Sequence, residues 1–442
     1  MKKFWEVDDL EGYPKALPEG VNDEDDYLIA TYYVELPPSW NTPKLAEMLA
    51  VEQSTGTWVA VPQETPEVRR KHVAKVTGVY EVPNYEFELP SDIKERRYLV
   101  QMAFPVVNFG SQMPHLLTAV AGNISMAGKV KLLDLKFPKS YTEGFQGPKF
   151  GIDGIRKILG VPKRPLLNNM IKPCTGYPPK VGAELLYHVA KGGADSIKDD
   201  ELMGNESFNR IEDRVPLYME AADKAEEETG EKTLYSVNVT GPVSRLLENA
   251  EMAVELGANS ILVNYLTVGL SAMRMLAEDP SIDVPVMAHM DFAGAIYESP
   301  WSGVSSHLIL GKLPRICGAD IIVTPAPYGK ARILKERYME IIQQQVFPLR
   351  DIKPSMPMPS GGIATPMVED VINDIGYDIM LGSGGAIHSH PMGPEAGTRA
   401  FRQAIDAVMD GKSLGDAMEE YEELRVSIDA AIKAVEDLKD LM

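Results

Sequence analysis

From Arg164 onward the chain repeats one pattern: short apolar runs alternate with longer segments whose apolar residues recur at helical spacing. The runs cover 166–171, 194–197, 234–239, 260–264, 284–288, 320–323, 355–358 and 377–381, and the helical segments include 180–190, 207–229, 243–256 and 267–277. Eight strand–helix units predict a (β/α)8 TIM barrel, whose chemistry sits at the C-terminal ends of its strands. The earlier part of the chain keeps no such beat. Residues 27–36, 58–61, 73–82 and 98–103 read as strands, and 42–53 and 114–121 as helices, with Thr42-Pro43 as cap and first helical position. The predicted class is α/β: an N-terminal α+β domain over 27–146, then a barrel domain over 147–442 with a helical extension from about Leu414. Residues 1–26, acidic and broken by Gly and Pro, read as an extended arm.

A net charge of −20 argues against nucleic acid or an anionic membrane surface as partner. Two cysteines, Cys174 and Cys317, make no disulfide framework and no CxxC pair. The first residues carry no apolar signal segment, and no run of about 18 apolar residues occurs. A cytoplasmic protein without a membrane span is expected. The methionines sit mostly in apolar contexts and read as core filler.

The stretch that carries the chemistry is Gly192-Gly-Ala-Asp-Ser-Ile-Lys-Asp-Asp-Glu201. It is a turn, a short strand and then a lysine among three carboxylates. Strand alternation puts Lys198 and Asp200 on one face, with Glu201 beginning the turn beyond. Converging carboxylates suit a hard divalent cation. The bland reading is a surface turn whose charges pair with each other.

This stretch closely resembles the metal-binding strand of the RuBisCO large-subunit superfamily, and the resemblance runs from about Tyr27 to Gly411. It implies that Lys198 is carbamylated by CO2 and binds Mg2+ with Asp200 and Glu201. Lys172, which closes an apolar run before Pro173, matches the family lysine that handles protons at the enolising carbon. Asn238 ends the third run, as a hydrogen-bond partner of the carbamate or substrate or as a structural amide. His289 and Asp291 end the fifth; Asp291 can act as a base or orient a hydroxyl, and His289 is a site residue or a satisfied core histidine. Lys330 matches the lysine of the loop after strand six, here in a Pro-stiffened setting.

Ser360-Gly361-Gly362 and Gly382-Ser383-Gly384-Gly385 form two Gly-rich turns at neighbouring strand ends. Such a pair can aim backbone N–H groups at one phosphate. His388 and His390 follow, His390 reading as structural. Glu52, Thr57, Trp58 and Asn123 match family residues that reach across a dimer interface, which implies a homodimer with shared active sites and room for higher assemblies.

The departures are as specific as the matches. Cys174 replaces the second lysine of true carboxylases, Phe292 their phosphate-clamping arginine, and Val323 a phosphate-side histidine. One half of the substrate site is kept and the other rebuilt. The expected protein is a RuBisCO-like (form IV) enzyme. It would enolise a small phosphorylated ketose or diketone with Mg2+, without CO2 fixation. Lys172 or the Lys198 carbamate would be the base. Some stretches are similar to the methionine-salvage enolase of 2,3-diketo-5-methylthiopentyl 1-phosphate and others to green-bacterial RuBisCO-like proteins. That enolase, however, has its base lysine where Asn123 stands. The other readings are a decarboxylase or hydrolase of a phosphorylated 3-oxo acid, a carboxylase with a substituted site, and a dimeric binding protein without turnover.

Overall fold

The computed structural model describes residues 26–56, 59, 61–330 and 333–440. The expected arm, Thr57, Trp58 and most of the strand expected at 58–61 lie outside the described residues. The chain divides into two compact units: one reaches to Phe145 and includes Ala293–Ile309, and the other comprises Gln146–Phe292 and the chain from Leu310 on. The inclusion of 293–309 in the first unit had no signal in the sequence.

In the first unit, strands β1 (Tyr27–Leu36), β2 (Lys75–Glu81), β3 (Arg96–Pro105) and β4 (Val130–Lys136) build a mixed sheet with a two-residue strand from much later in the chain. Strand β1 is central, antiparallel to both β3 and β4. Its alternation is visible in burial: Leu28, Ala30, Tyr32 and Val34 face the core. The helix Thr42–Glu52 is capped one residue earlier than expected. The Asn41 side chain accepts from Lys44 N at 3.1 Å, while Thr42 is buried. An Asn side chain in extended backbone satisfies an otherwise orphaned helix N–H, which Thr42 inside the helix would not.

The second unit is a barrel. Its strands are β5 (Leu166–Met170), β6 (Ser196–Lys198), β7 (Leu234–Asn238), β8 (Ser260–Asn264), β9 (Val286–His289), then, after β10 (Gly303–Val304) of the first unit's sheet, β11 (Ile321–Pro325), β12 (Met356–Ser360) and β13 (Met380–Ser383). All eight are parallel, in the order β12-β11-β9-β8-β7-β6-β5-β13. The two ends of that order pack on each other and close the ring. Each expected run contributes one strand. The last begins three residues late, at Met380 and not Tyr377, because Gly376 (φ 78°) turns the chain there and Asp378 is drawn to Arg156.

Leu166, Met170, Leu234, Leu262, Met287, Ile321, Met356, Met358 and Met380 meet in the barrel core, joined by Ile152, Ile155 and Leu159 of the helix Gly151–Leu159. Five methionines among them fill irregular space between the strands. Asp320 fixes that helix to the strand starts, accepting from the backbone of Phe150, Gly151 and Val286 at 2.7, 2.8 and 2.9 Å. Burial lifts its carboxyl to about 6 against the pull of these donors.

Candidate active site at the barrel mouth

Strand β6 ends in three residues with three destinations. Lys198 is fully buried, and its Nζ lies 3.1 Å from Glu201 Oε2 and 3.1 Å from the Asp199 carbonyl. Asp199 points to the other side of the strand, where it meets Arg214 at 2.8 Å, the Tyr235 hydroxyl at 2.8 Å and Asn238 N at 2.9 Å. This fully buried, fully bonded pair anchors the strand end. Removing one partner would strand a charge, at a cost of roughly 3–5 kcal/mol. Asp200, again on the Lys198 side, receives the Lys172 ammonium on Oδ2 at 2.5 Å.

The register explains that meeting. Met170 pairs with Lys198 across β5 and β6, so two residues further on each chain places Lys172 opposite Asp200. Lys172 Nζ also lies 3.0 Å from Cys174 Sγ. Burial opposes its charge, but Asp200 outweighs burial and raises its pKa.

Glu201 Oε2 is shared between Lys198 and His289 Nε2, the latter at 3.3 Å. Burial works against its ionisation, yet Lys198 and His289 prevail and hold the carboxyl down at about 2. On its other nitrogen His289 meets Asp291 Oδ2 at 2.9 Å, so a buried imidazole bridges two carboxylates. Phe292, next in line, has φ 71° and is 65 % exposed. A bulky residue in left-handed backbone is uncommon and costs on the order of 1 kcal/mol.

Asn238 gives its amide to the carbonyls of Asp200 and Glu201, each at 3.2 Å, and its Oδ1 accepts from Thr240 N. This is the structural of the two roles open to it. Asn264 does the same from β8, donating to the Glu201 carbonyl at 3.0 Å. Asn264 was missed in the sequence, although it closes its run in the same way as Asn238.

Across the mouth, Gly361 and Gly362 turn with φ 96° and 106° after the buried Ser360. A Cβ on Gly362 would lie 3.1 Å from Lys330 N, and Lys330 N donates to Gly361 O at 2.7 Å. The loop carrying the exposed Lys330 side chain therefore rests directly on this turn. Gly384 and Gly385 follow β13, the helix Gly385–His388 beginning at the second of them. His390 is structural: its ring bonds Glu423 O and Met392 N. In the first unit, Asn123 Nδ2 donates to Glu52 Oε1 at 3.2 Å. Thr57 and Trp58 lie outside the described residues.

The donor set fits a hard divalent cation on one condition. Among the described residues no three His, Cys, Asp or Glu side chains converge as a metal cage. Asp200 and Glu201 supply two carboxylates, and both now take their positive charge from lysines. A third anionic oxygen is available only if the Lys198 amine is converted to a carbamate.

Residues 18–141 match the N-terminal domain, and residues 151–431 the catalytic domain, of the ribulose bisphosphate carboxylase large chain. A ribulose bisphosphate carboxylase-like protein of Archaeoglobus fulgidus is 59% identical over 409 residues, 92% of this chain and 93% of the relative. A 2,3-diketo-5-methylthiopentyl-1-phosphate enolase of Bacillus velezensis is 38% identical over 406 residues, 91% of this chain and 97% of the relative. Among solved structures, a rubisco-like protein of Alicyclobacillus acidocaldarius superposes with a TM-score of 0.84 at 36% identity, covering 91% of this chain and 99% of the other.

Proposed function

Since the chain belongs to the ribulose bisphosphate carboxylase large-chain family, on its RuBisCO-like (form IV) side, we propose that it enolises a small phosphorylated ketose or diketone and does not fix CO2. The observation that carries this reading is the cluster of buried Lys198 and Asp200 with half-buried Glu201 and Lys172 at the ends of β5 and β6. Four ionisable side chains are held there with opposite charges interleaved, which no solvated surface turn requires.

Lys198 as its carbamate, Asp200 and Glu201 would hold Mg2+. Bound there, the cation would polarise a substrate carbonyl and offset the charge that develops on its oxygen. The protein's own residues do the remainder. Asn238 and Asn264 fix the backbone of the ligand turn. The turns at Gly361-Gly362 and Gly384-Gly385, with Lys330, would hold the phosphate and orient the carbon chain. Lys172, protonated while it bonds Asp200, would donate to the carbonyl oxygen and become a base only once released from that carboxylate. Asp291, braced by His289, offers a second carboxylate toward a hydroxyl.

The rebuilt half of the site supports a single phosphate. Cys174 sits against Lys172 where a carboxylase would have a second ammonium, and Phe292 presents an exposed ring where a clamp would need a cation. Decarboxylation or hydrolysis of a phosphorylated 3-oxo acid is the second reading. It is favoured by the Asn123 amide on Glu52, where the salvage enolase has its base lysine. Glu52 and Asn123 are also the basis for proposing a homodimer that shares active sites. Among the described residues no helix is long and apolar enough to cross a membrane, and a cytoplasmic location is part of the proposal.

The test is α-proton exchange in D2O, followed by NMR, with Mg2+ and bicarbonate and a panel of phosphorylated ketoses, diketones and ribulose 1,5-bisphosphate. Exchange with a monophosphate and no fixation is expected. Fixation with the bisphosphate would overturn the reading. Release of CO2 from a 3-oxo acid would transfer it to the second.

A further inference from the structure

His388 belongs to no role assigned so far, yet its half-buried ring is tied to a fully buried strand residue. It closes the four-residue helix that starts at Gly385. Its Nε2 lies 3.0 Å from Asn169 Oδ1. Asn169 is fully buried on β5, and its amide nitrogen donates to Ser383 O at 2.9 Å. That second bond fixes which way the amide faces. Its oxygen, an acceptor only, is the atom turned to His388, so Nε2 must carry the proton. Nδ1 then holds a bare lone pair and has no hydrogen-bond partner among the described residues.

Two further observations bring His388 beside Lys172 and the Gly-rich turn read as the phosphate cradle. Strands β5 and β13 are paired, Ser383 opposite Asn169, so Asn169, Lys172, Gly384 and His388 come from adjoining strand ends. A Cβ on Gly384 would lie 3.0 Å from Lys172 Cε, so the lysine stem crosses the same glycine turn that leads into His388. The environment also keeps the imidazole neutral: burial, with the Lys172 charge added, lowers its pKa to about 4. A ring locked in one tautomer, beside an ammonium, is an obligate acceptor.

We propose that His388 Nδ1 accepts a hydrogen bond from a substrate hydroxyl next to the phosphate-bearing carbon, and so selects a hydroxy compound over its oxo counterpart. The inference rests on the reading of the Gly-rich turns as a phosphate cradle. An oxo group offers two lone pairs to another lone pair and no proton, so discrimination follows from an unmade bond and repulsion. A substrate chosen this way is a phosphorylated ketose with its hydroxyl beside the phosphate end, and a 2,3-diketone phosphate would be disfavoured.

The test uses the full-length protein labelled with 15N-histidine, with His388 resonances assigned by their loss in His388→Gln. A neutral ring with the proton on Nε2 is expected at pH 7; a proton on Nδ1, or a charged ring, would overturn the inference outright. Glycerol 3-phosphate and its oxo counterpart, dihydroxyacetone phosphate, are then titrated by calorimetry into the wild type, His388→Leu and His388→Asn. Glycerol 3-phosphate should shift Nδ1 and bind about tenfold more weakly to His388→Leu, the worth of one neutral hydrogen bond, with partial rescue in His388→Asn. Dihydroxyacetone phosphate should bind His388→Leu no more weakly than the wild type, because the repelling lone pair is gone. Equal loss of both compounds in His388→Leu would reduce His388 to a structural role and overturn the inference alone. Failure of the wild type to bind either would overturn the cradle and the inference with it.

Discussion

Lys172 Nζ lies 2.5 Å from Asp200 Oδ2, and Asp200 is completely buried. The two residues are 28 apart in sequence and meet because β5 and β6 run parallel in a register that sets one opposite the other. While the contact holds, Asp200 has its charge neutralised by a lysine. Replacing Lys172 by Met should therefore leave a buried carboxylate alone and lower stability by about 2 kcal/mol in the metal-free protein, given the partial exposure of the lysine. With Mg2+ and bicarbonate the loss should shrink, because a cation can take over as partner of Asp200. Denaturant unfolding under both conditions measures this, and equal losses would show that lysine and cation do not compete for the carboxylate.

Lys198 poses a different question, because its neighbours, the Glu201 carboxylate and the Asp199 carbonyl, suit an ammonium, whereas the proposed Mg2+ site needs a carbamate there. Lys198→Ala should abolish metal-dependent proton exchange while the protein stays folded. The thermal midpoint supplies a readout free of activity. Mg2+ with bicarbonate should raise it in the wild type, by the usual linkage of ligand to native state, and leave it unmoved in the variant. Surviving exchange would remove the metal site from the mechanism.

Gly384 is a steric control on the same corner. Its φ of −114° suits any residue, but a Cβ would lie 2.5 Å from Met170 Cγ, 2.7 Å from its Sδ and 3.0 Å from Lys172 Cε. These are flexible side chains, so Gly384→Ala should cost only about 1 kcal/mol of stability. The displaced lysine should lower kcat by tenfold or more. A variant with unchanged kcat would show that Lys172 need not lie over Gly384 in the working enzyme.

The pH dependence of stability should carry a His388 component. Its folded-state pKa, about 4, lies below the ordinary value of 6.5, so the unfolded chain binds the extra proton between those limits. The contribution is complete above about pH 6.5 and is lost as pH falls toward 4, at most roughly 2–3 kcal/mol for a ring of this burial. Comparing the wild type with His388→Gln isolates it from the carboxylates. The gap between the two unfolding free energies should move in the variant's favour between pH 7.5 and 4.5, and a constant gap would contradict the assignment.

The apolar runs, the Gly-rich turns and the Lys198-Asp-Asp-Glu201 segment were all legible in the chain, because each is a local pattern written in consecutive residues. Barrel strands are buried on both faces and so read as runs of apolar residues. Alternation alone put Lys198 and Asp200 on one side. It could not say that Asp199, on the other side, would meet Arg214 and hold the strand end in place. Nor could it say which strand would be the neighbour of which. The pairing of Lys172 with Asp200, the His289 bridge from Glu201 to Asp291, and the amide that fixes the His388 tautomer all join residues from different strand ends. The sequence determined the elements and the chemistry each one carries. Only the closed ring of parallel strands decided which charges would share a buried space, because register and closure are set by packing over the whole barrel, and the protonation of each group follows from its neighbours there.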